Sequence, residues 1–77
     1  MLNLKFEINR SGYVLLKITD LLGFERDEIR PGYMNKGEHL VPWRPRYNMF
    51  GDVLNYTVVV DKEIVSEEMF VVKDLRN

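Results

Sequence analysis

Chemistry in this chain would have to start from a short set of side chains. His39 is the lone histidine, and there is no cysteine. A transition-metal site needs three or four His, Cys or carboxylate ligands at short spacing. No second histidine and no H-x-x-E pairing accompanies His39, which alternates with Val41 and Trp43 as a half-buried strand residue would. No metal or cofactor is therefore expected. Ser11 and Ser66 are the only serines, and neither sits in the G-x-S-x-G turn that exposes a nucleophile. Acids gather at Glu25-Asp27-Glu28 and at Glu67-Glu68. Paired carboxylates can hydrolyse a glycoside, but only in a cleft that pushes their pKa values apart. A small all-β domain offers little cleft, so these acids read as solvated faces or as charges guarding strand edges. The glycines are spread out as turn markers, with no P-loop and no dinucleotide fingerprint. No constellation able to run a reaction emerges, and the chain is read as a non-enzyme.

The segment with most binding potential is Trp43-Arg44-Pro45-Arg46-Tyr47. Aromatics interleaved with arginines can stack on sugars or bases, or anchor a protein interface. Trp43 alternates with Val41 and is expected to point inward. Arg44, Arg46 and Tyr47 then remain as the surface candidates, on a loop of the kind that carries function on a rigid scaffold.

The elements that must position these residues are strands. At 77 residues, 45% hydrophobic and 30% charged, the chain has the make-up of one globular domain. A domain of this size buries only about 60% of its unfolded surface, so its nine aromatics must do much of the packing. A net charge of −1 with scattered Lys and Arg argues against a nucleic-acid partner. Apolar runs of four residues or fewer argue against membrane insertion, and no signal-peptide pattern is visible.

Leu2 to Ile8 alternates apolar and polar, the period of a half-buried strand. Asn9 to Gly12 supplies turn chemistry, with Gly12 free to take positive φ, and Tyr13 to Asp20 forms a second strand with Val14, Leu16 and Ile18 on one face. The two are expected to pair as a hairpin. Phe24 to Arg30 reads as a short charged strand, although Arg26-Asp27-Glu28 could open a helix that Pro31-Gly32 would stop. Gly37 to Trp43 is a strand for which Pro42 implies either a sheet edge or a missing donor turned outward. Arg44 to Asp52 is a loop, and Val53 to Val60 gives the strongest strand signal, with Tyr56, Val58 and Val60 on one face. After a turn at Asp61-Lys62-Glu63, Ile64 to Lys73 returns as the last strand. Its register is open: Met69 and Val71 compete with Phe70 and Val72 for the core, and a bulge is expected at Glu67-Glu68. Strands joined by turns, with no amphipathic helix, imply an all-β fold.

The order of motifs goes further. Val14, Leu16, Ile18, Asp20 and Gly23 resemble the V-x-L-x-I-x-D-x-x-G segment of the immunoglobulin-like domain of flagellar hook-capping proteins and of the C-terminal sorting domains of the type IX secretion system. Gly37, His39, Val41 and Trp43 are similar to that group's G-x-H-x-V-x-W. Tyr56-Val58-Val60 and Met69-Val71-Lys73 are similar to its Y-x-V-x-V and M-x-V-x-K strands. The resemblance runs from about Leu4 to Asp74. It departs at Arg44-Pro45-Arg46-Tyr47, where the group carries an Asp-Gly turn and a second acid, and at Leu54-Asn55, where it carries Ser-Gly. Asn55 could replace that glycine by taking left-handed geometry.

The resemblance implies an immunoglobulin-like antiparallel β-sandwich of about six or seven strands over residues 1–77. It also implies a non-catalytic sorting or scaffold domain of a larger secreted or cell-surface protein, docking to secretion or assembly machinery. The alternative is a stand-alone module that binds carbohydrate or protein through the Trp43–Tyr47 loop.

Overall fold

The computed structural model describes residues 1–73, and six antiparallel strands and one 3-10 turn account for most of them. In order these are β1 (Leu2–Ile8), β2 (Gly12–Asp20), β3 (Glu25–Met34), β4 (Gly37–Trp43), the 3-10 turn Tyr47–Met49, β5 (Val53–Val60) and β6 (Glu63–Val71). One sheet has the order β1-β4 and the other β3-β2-β5-β6. The links β1–β2, β3–β4 and β4–β5 each cross from one sheet to the other, so the two sheets face each other as a small β-sandwich.

Alternation builds the core from both sheets. Leu4, Phe6 and Ile8 of β1 and Val41 and Trp43 of β4 face Val14, Leu16 and Ile18 of β2 and Leu54, Tyr56, Val58 and Val60 of β5. All of these are buried, and Met49 and Val72 close the layer at one end. On the inner side of β5 Leu54 and Tyr56 are followed by the β-branched Val58 and Val60, and aromatic and β-branched residues suit a pleated surface covered on that side.

The expected hairpin of the first two strands does not form. β1 pairs with β4, from Leu2 opposite Trp43 to Ile8 opposite Gly37, while β2 pairs with β3 and β5. The Asn9–Ser11 link carries the chain across to the other sheet. Both strands bury their apolar face, which is what a sandwich crossing and a hairpin have in common. Gly12 is also used differently. It is absent from the positive-φ residues and sits at the start of β2, where an added Cβ would come within 2.5 Å of Asp61 Oδ2 and 2.7 Å of Val60 Cγ1. Close approach is what requires a glycine there.

Three further points refine the sequence reading. β3 runs past Pro31 and Gly32 to Met34, because Gly32 (φ +91) and the register shift opposite Val14 and Leu16 let an edge strand absorb them. Asn55 lies in β5 opposite Thr19 and Met69 with ordinary negative φ, so no left-handed residue is needed there. In the last strand Phe70 packs inward and Val72 is fully buried, while Met69 and Val71 face outward. The bulge lies at Val65, between Ser66 and Ile64, and not at Glu67-Glu68, which pair in register with Thr57 and Tyr56.

Candidate functional site

One end of the sandwich collects the β2–β3 turn, the β4–β5 loop and the segment after β6. The β2–β3 turn is built on Asp20. Its carboxylate Oδ1 accepts the backbone N–H of Leu22 (3.0 Å) and of Phe24 (2.9 Å). Its own N–H donates to Phe24 O at 2.9 Å, and its carbonyl accepts from Gly23 N at 3.0 Å. Gly23 has φ +92, the left-handed geometry glycine takes without strain. Four hydrogen bonds on one residue fix a tip that presents apolar side chains to water. Leu21 is 60% exposed, Leu22 84% and Phe24 67%.

The β4–β5 loop is anchored from below by Met49, which is fully buried. Met49 N donates to Arg46 O, and Asp52 N to Met49 O, closing the 3-10 turn. Gly51 N donates to Val72 O at 2.7 Å and Val72 N to Asp52 O at 2.9 Å, so the chain after β6 is stitched to the same loop. The loop is tied to β3 as well. Arg46 Nη2 donates to the Arg26 carbonyl, and the Arg26 guanidinium lies 3.5 Å from the Asp52 carboxylate. A cleft of about 370 Å³ joins tip and loop, with Leu21 and Leu22 on one side and Gly51 and Asp52 on the other.

The three sequence-derived candidates all lie here. Arg44 is exposed and makes no hydrogen bond or ion pair among the described residues. Arg46 is exposed but held by β3, and Tyr47 is 73% exposed with its ring set edge-on to Phe50. Trp43 points into the core, as its alternation with Val41 required, and its Nε1 donates to Asp27 Oδ2 at 2.8 Å. Arg26, Arg44 and Arg46 thus stand at the end that carries Leu21, Leu22 and Phe24. Those three apolar residues were absent from the sequence-derived set, although large apolar residues inside a turn are themselves a signal, since turns favour polar side chains.

His39 stacks on Phe6 with ring centroids 5.8 Å apart, and its Nε2 lies 2.6 Å from the Asn35 carbonyl. Among the described residues no three His, Cys or carboxylate side chains come together. Ser11 Oγ accepts the Lys36 backbone N–H at 2.9 Å, a link between loops at the opposite end. Among the described residues Tyr56 is the one group whose titration is strongly altered. Burial first, then its hydrogen bond to Glu68 and the charge of that residue, raise its pKa from 10.0 to about 12. No helix among the described residues is long and apolar enough to cross a membrane.

Compared with family models, with curated proteins and with solved structures, the chain finds no match in any of the three.

Proposed function

We propose that this chain is a docking domain without catalytic chemistry of its own, and that its contact surface is the end carrying Leu21, Leu22 and Phe24 beside Arg44, Arg46 and Tyr47. The observation that carries this reading is the rigid apolar tip. Burying a Leu or Phe side chain is worth roughly 1.5–3 kcal/mol, and here three of them are held in water by a turn with four hydrogen bonds around Asp20. A turn already fixed in its bound shape saves the ordering cost of association. Arginine and tyrosine around an apolar centre are the side chains that concentrate binding energy in protein interfaces.

The partner is then a protein with an apolar recess. The motif order in Val14–Gly23 and Gly37–Trp43 adds the kind of protein: secretion or assembly machinery, reached by a sorting or scaffold domain at the end of a larger secreted or cell-surface chain. A carbohydrate module is the weaker reading, because Trp43, the broadest stacking ring, is only 4% exposed. Fusing the domain to the C-terminus of a periplasmic reporter in a host with type IX secretion tests the proposal. Export of the fusion is the expected result, and retention in the periplasm would remove the sorting role.

A further inference from the structure

The two sheets leave four free edges, and three of them carry features that block strand addition. β3 has two register shifts and contains Pro31. β4 contains Pro42. β6 is interrupted by the Val65 bulge and then carries Glu67 and Glu68. Bulges, prolines and charged side chains are how edge strands avoid pairing with other chains. β1 has no bulge, proline or glycine, and its only charges are Lys5 and Glu7, of opposite sign: its seven residues pair with β4 in unbroken register, and no strand lies on its other side among the described residues.

That open side of β1 faces β6 across a seam. The Tyr56 hydroxyl reaches into it, within hydrogen-bond distance of the Lys5 carbonyl (2.7 Å) and of the Glu68 carboxylate, so an added strand has to displace this hydroxyl or share the carbonyl through its second lone pair. Two clefts follow the seam. One, of about 240 Å³, includes Lys5, Glu7, Glu38 and Glu68 in its walls; the other, of about 400 Å³, is lined by Glu7, Asn9, Ile64 and Val65. Glu7 stands directly opposite Glu38 in the β1–β4 register, a like-charge pair that costs stability, and neither is in an ion pair among the described residues. Three carboxylates against one lysine make the seam acidic, with apolar surface at Ile64 and Val65.

We infer that the β1 edge is a strand-addition site for an extended segment of a partner protein in which Lys or Arg alternates with apolar residues. Backbone groups of the segment pair with β1, its cations meet Glu7, Glu38 and Glu68, and its apolar side chains cover Val65 and Ile64. A second copy of this chain fits less well, since two β1 edges brought together also bring two acidic seams together. The residues involved differ from those of the loop end, so either surface can fail while the other stands.

The probe is a capped peptide of about eight residues alternating Val and Lys, titrated into the full chain and followed by NMR. Shift changes and slowed amide exchange centred on Asn3, Lys5 and Glu7 are expected. A Val-Glu peptide, and a Val-Lys peptide with a fully N-methylated backbone, should each bind at least roughly tenfold more weakly. Glu7→Gln with Glu38→Gln should weaken the Val-Lys peptide while leaving the unfolding midpoint unchanged or higher. Absence of shifts at millimolar peptide, equal binding of the acidic or N-methylated peptide, or shifts confined to β3, β4 or β6 would overturn the inference. So would a concentration-dependent dimer whose β1 amides are already protected without peptide.

Discussion

The Trp43 indole N–H donates to Asp27 Oδ2 at 2.8 Å, tying the last residue of β4 in one sheet to β3 in the other. The same ring meets Phe70 edge-on at 5.8 Å, and Phe70 in turn meets Tyr56 at 5.5 Å. One side chain therefore joins both sheets beneath the loop that bears Arg44, Arg46 and Tyr47. Trp43→Ala should cost roughly 3–5 kcal/mol, a large share of the stability of so small a domain. Asp27→Ala leaves the indole N–H without its acceptor and should cost about 1–3 kcal/mol. Urea midpoints, with the slope unchanged, are the measurement; a shift near zero for Trp43→Ala would place the ring outside the core.

Asp20 should matter more for docking than for folding. Asp20→Ala removes the acceptor for the N–H groups of Leu22 and Phe24 while leaving the β2–β5 pairing intact. The expected loss of stability is about 1–2 kcal/mol, with faster amide exchange confined to residues 21–24. Gly23→Ala at φ +92 should act in the same direction by about 1 kcal/mol. Unchanged exchange in both variants would show that the tip keeps its shape by other means.

Gly12→Ala should destabilise through crowding. The new methyl meets the Asp61 carboxylate, which accepts the Tyr13 backbone N–H at 3.0 Å, and the Val60 side chain in the core. Neither neighbour can yield without breaking that bond or shifting β5, so about 1–3 kcal/mol should be lost. A double variant with Asp61→Ala relieves part of the crowding, and its stability relative to the two single variants measures the coupling.

How far the sequence carried can be judged from these same residues. The alternation in β2 and β5 named the inward faces correctly, Pro42 placed β4 at an edge, and Val41 gave the direction of Trp43. Alternation states which side of a strand is buried but not which strand lies beside it, so the Leu2–Ile8 and Tyr13–Asp20 pair was misjudged as a hairpin. The last strand was ambiguous because Met69, Phe70, Val71 and Val72 are all apolar, and only the Val65 bulge decides which of them turn inward. Arg44, Arg46 and Tyr47 were legible as a loop cluster. Leu21, Leu22 and Phe24 are not legible as a surface: Phe24 reads as the start of a strand, one residue before β3 begins, and nothing local distinguishes an apolar residue awaiting a partner from one folded into its own core.

Alkaline pH gives a separate handle on Tyr56. In the unfolded chain this phenol ionises near 10.0, whereas in the fold it stays neutral to about 12. Below pH 10 its contribution to stability is complete. As pH rises from about 10 to 12 the unfolded state loses a proton that the folded state retains, so stability falls by up to about 1.4 kcal/mol per pH unit. Tyr56→Phe should flatten that decline and remove a late phenolate step from an ultraviolet titration. An alkaline limb of the same slope in the variant would assign the effect elsewhere.

The most direct measurement is the export of a reporter carrying this domain at its C-terminus, compared between the native tip and a Leu22→Ser, Phe24→Ser variant with the same unfolding midpoint. Export of the native fusion and its loss, by roughly tenfold or more, in the folded variant is the expected result. Equal export of both, with the tip made polar and the fold intact, would contradict the docking role of this end of the sandwich.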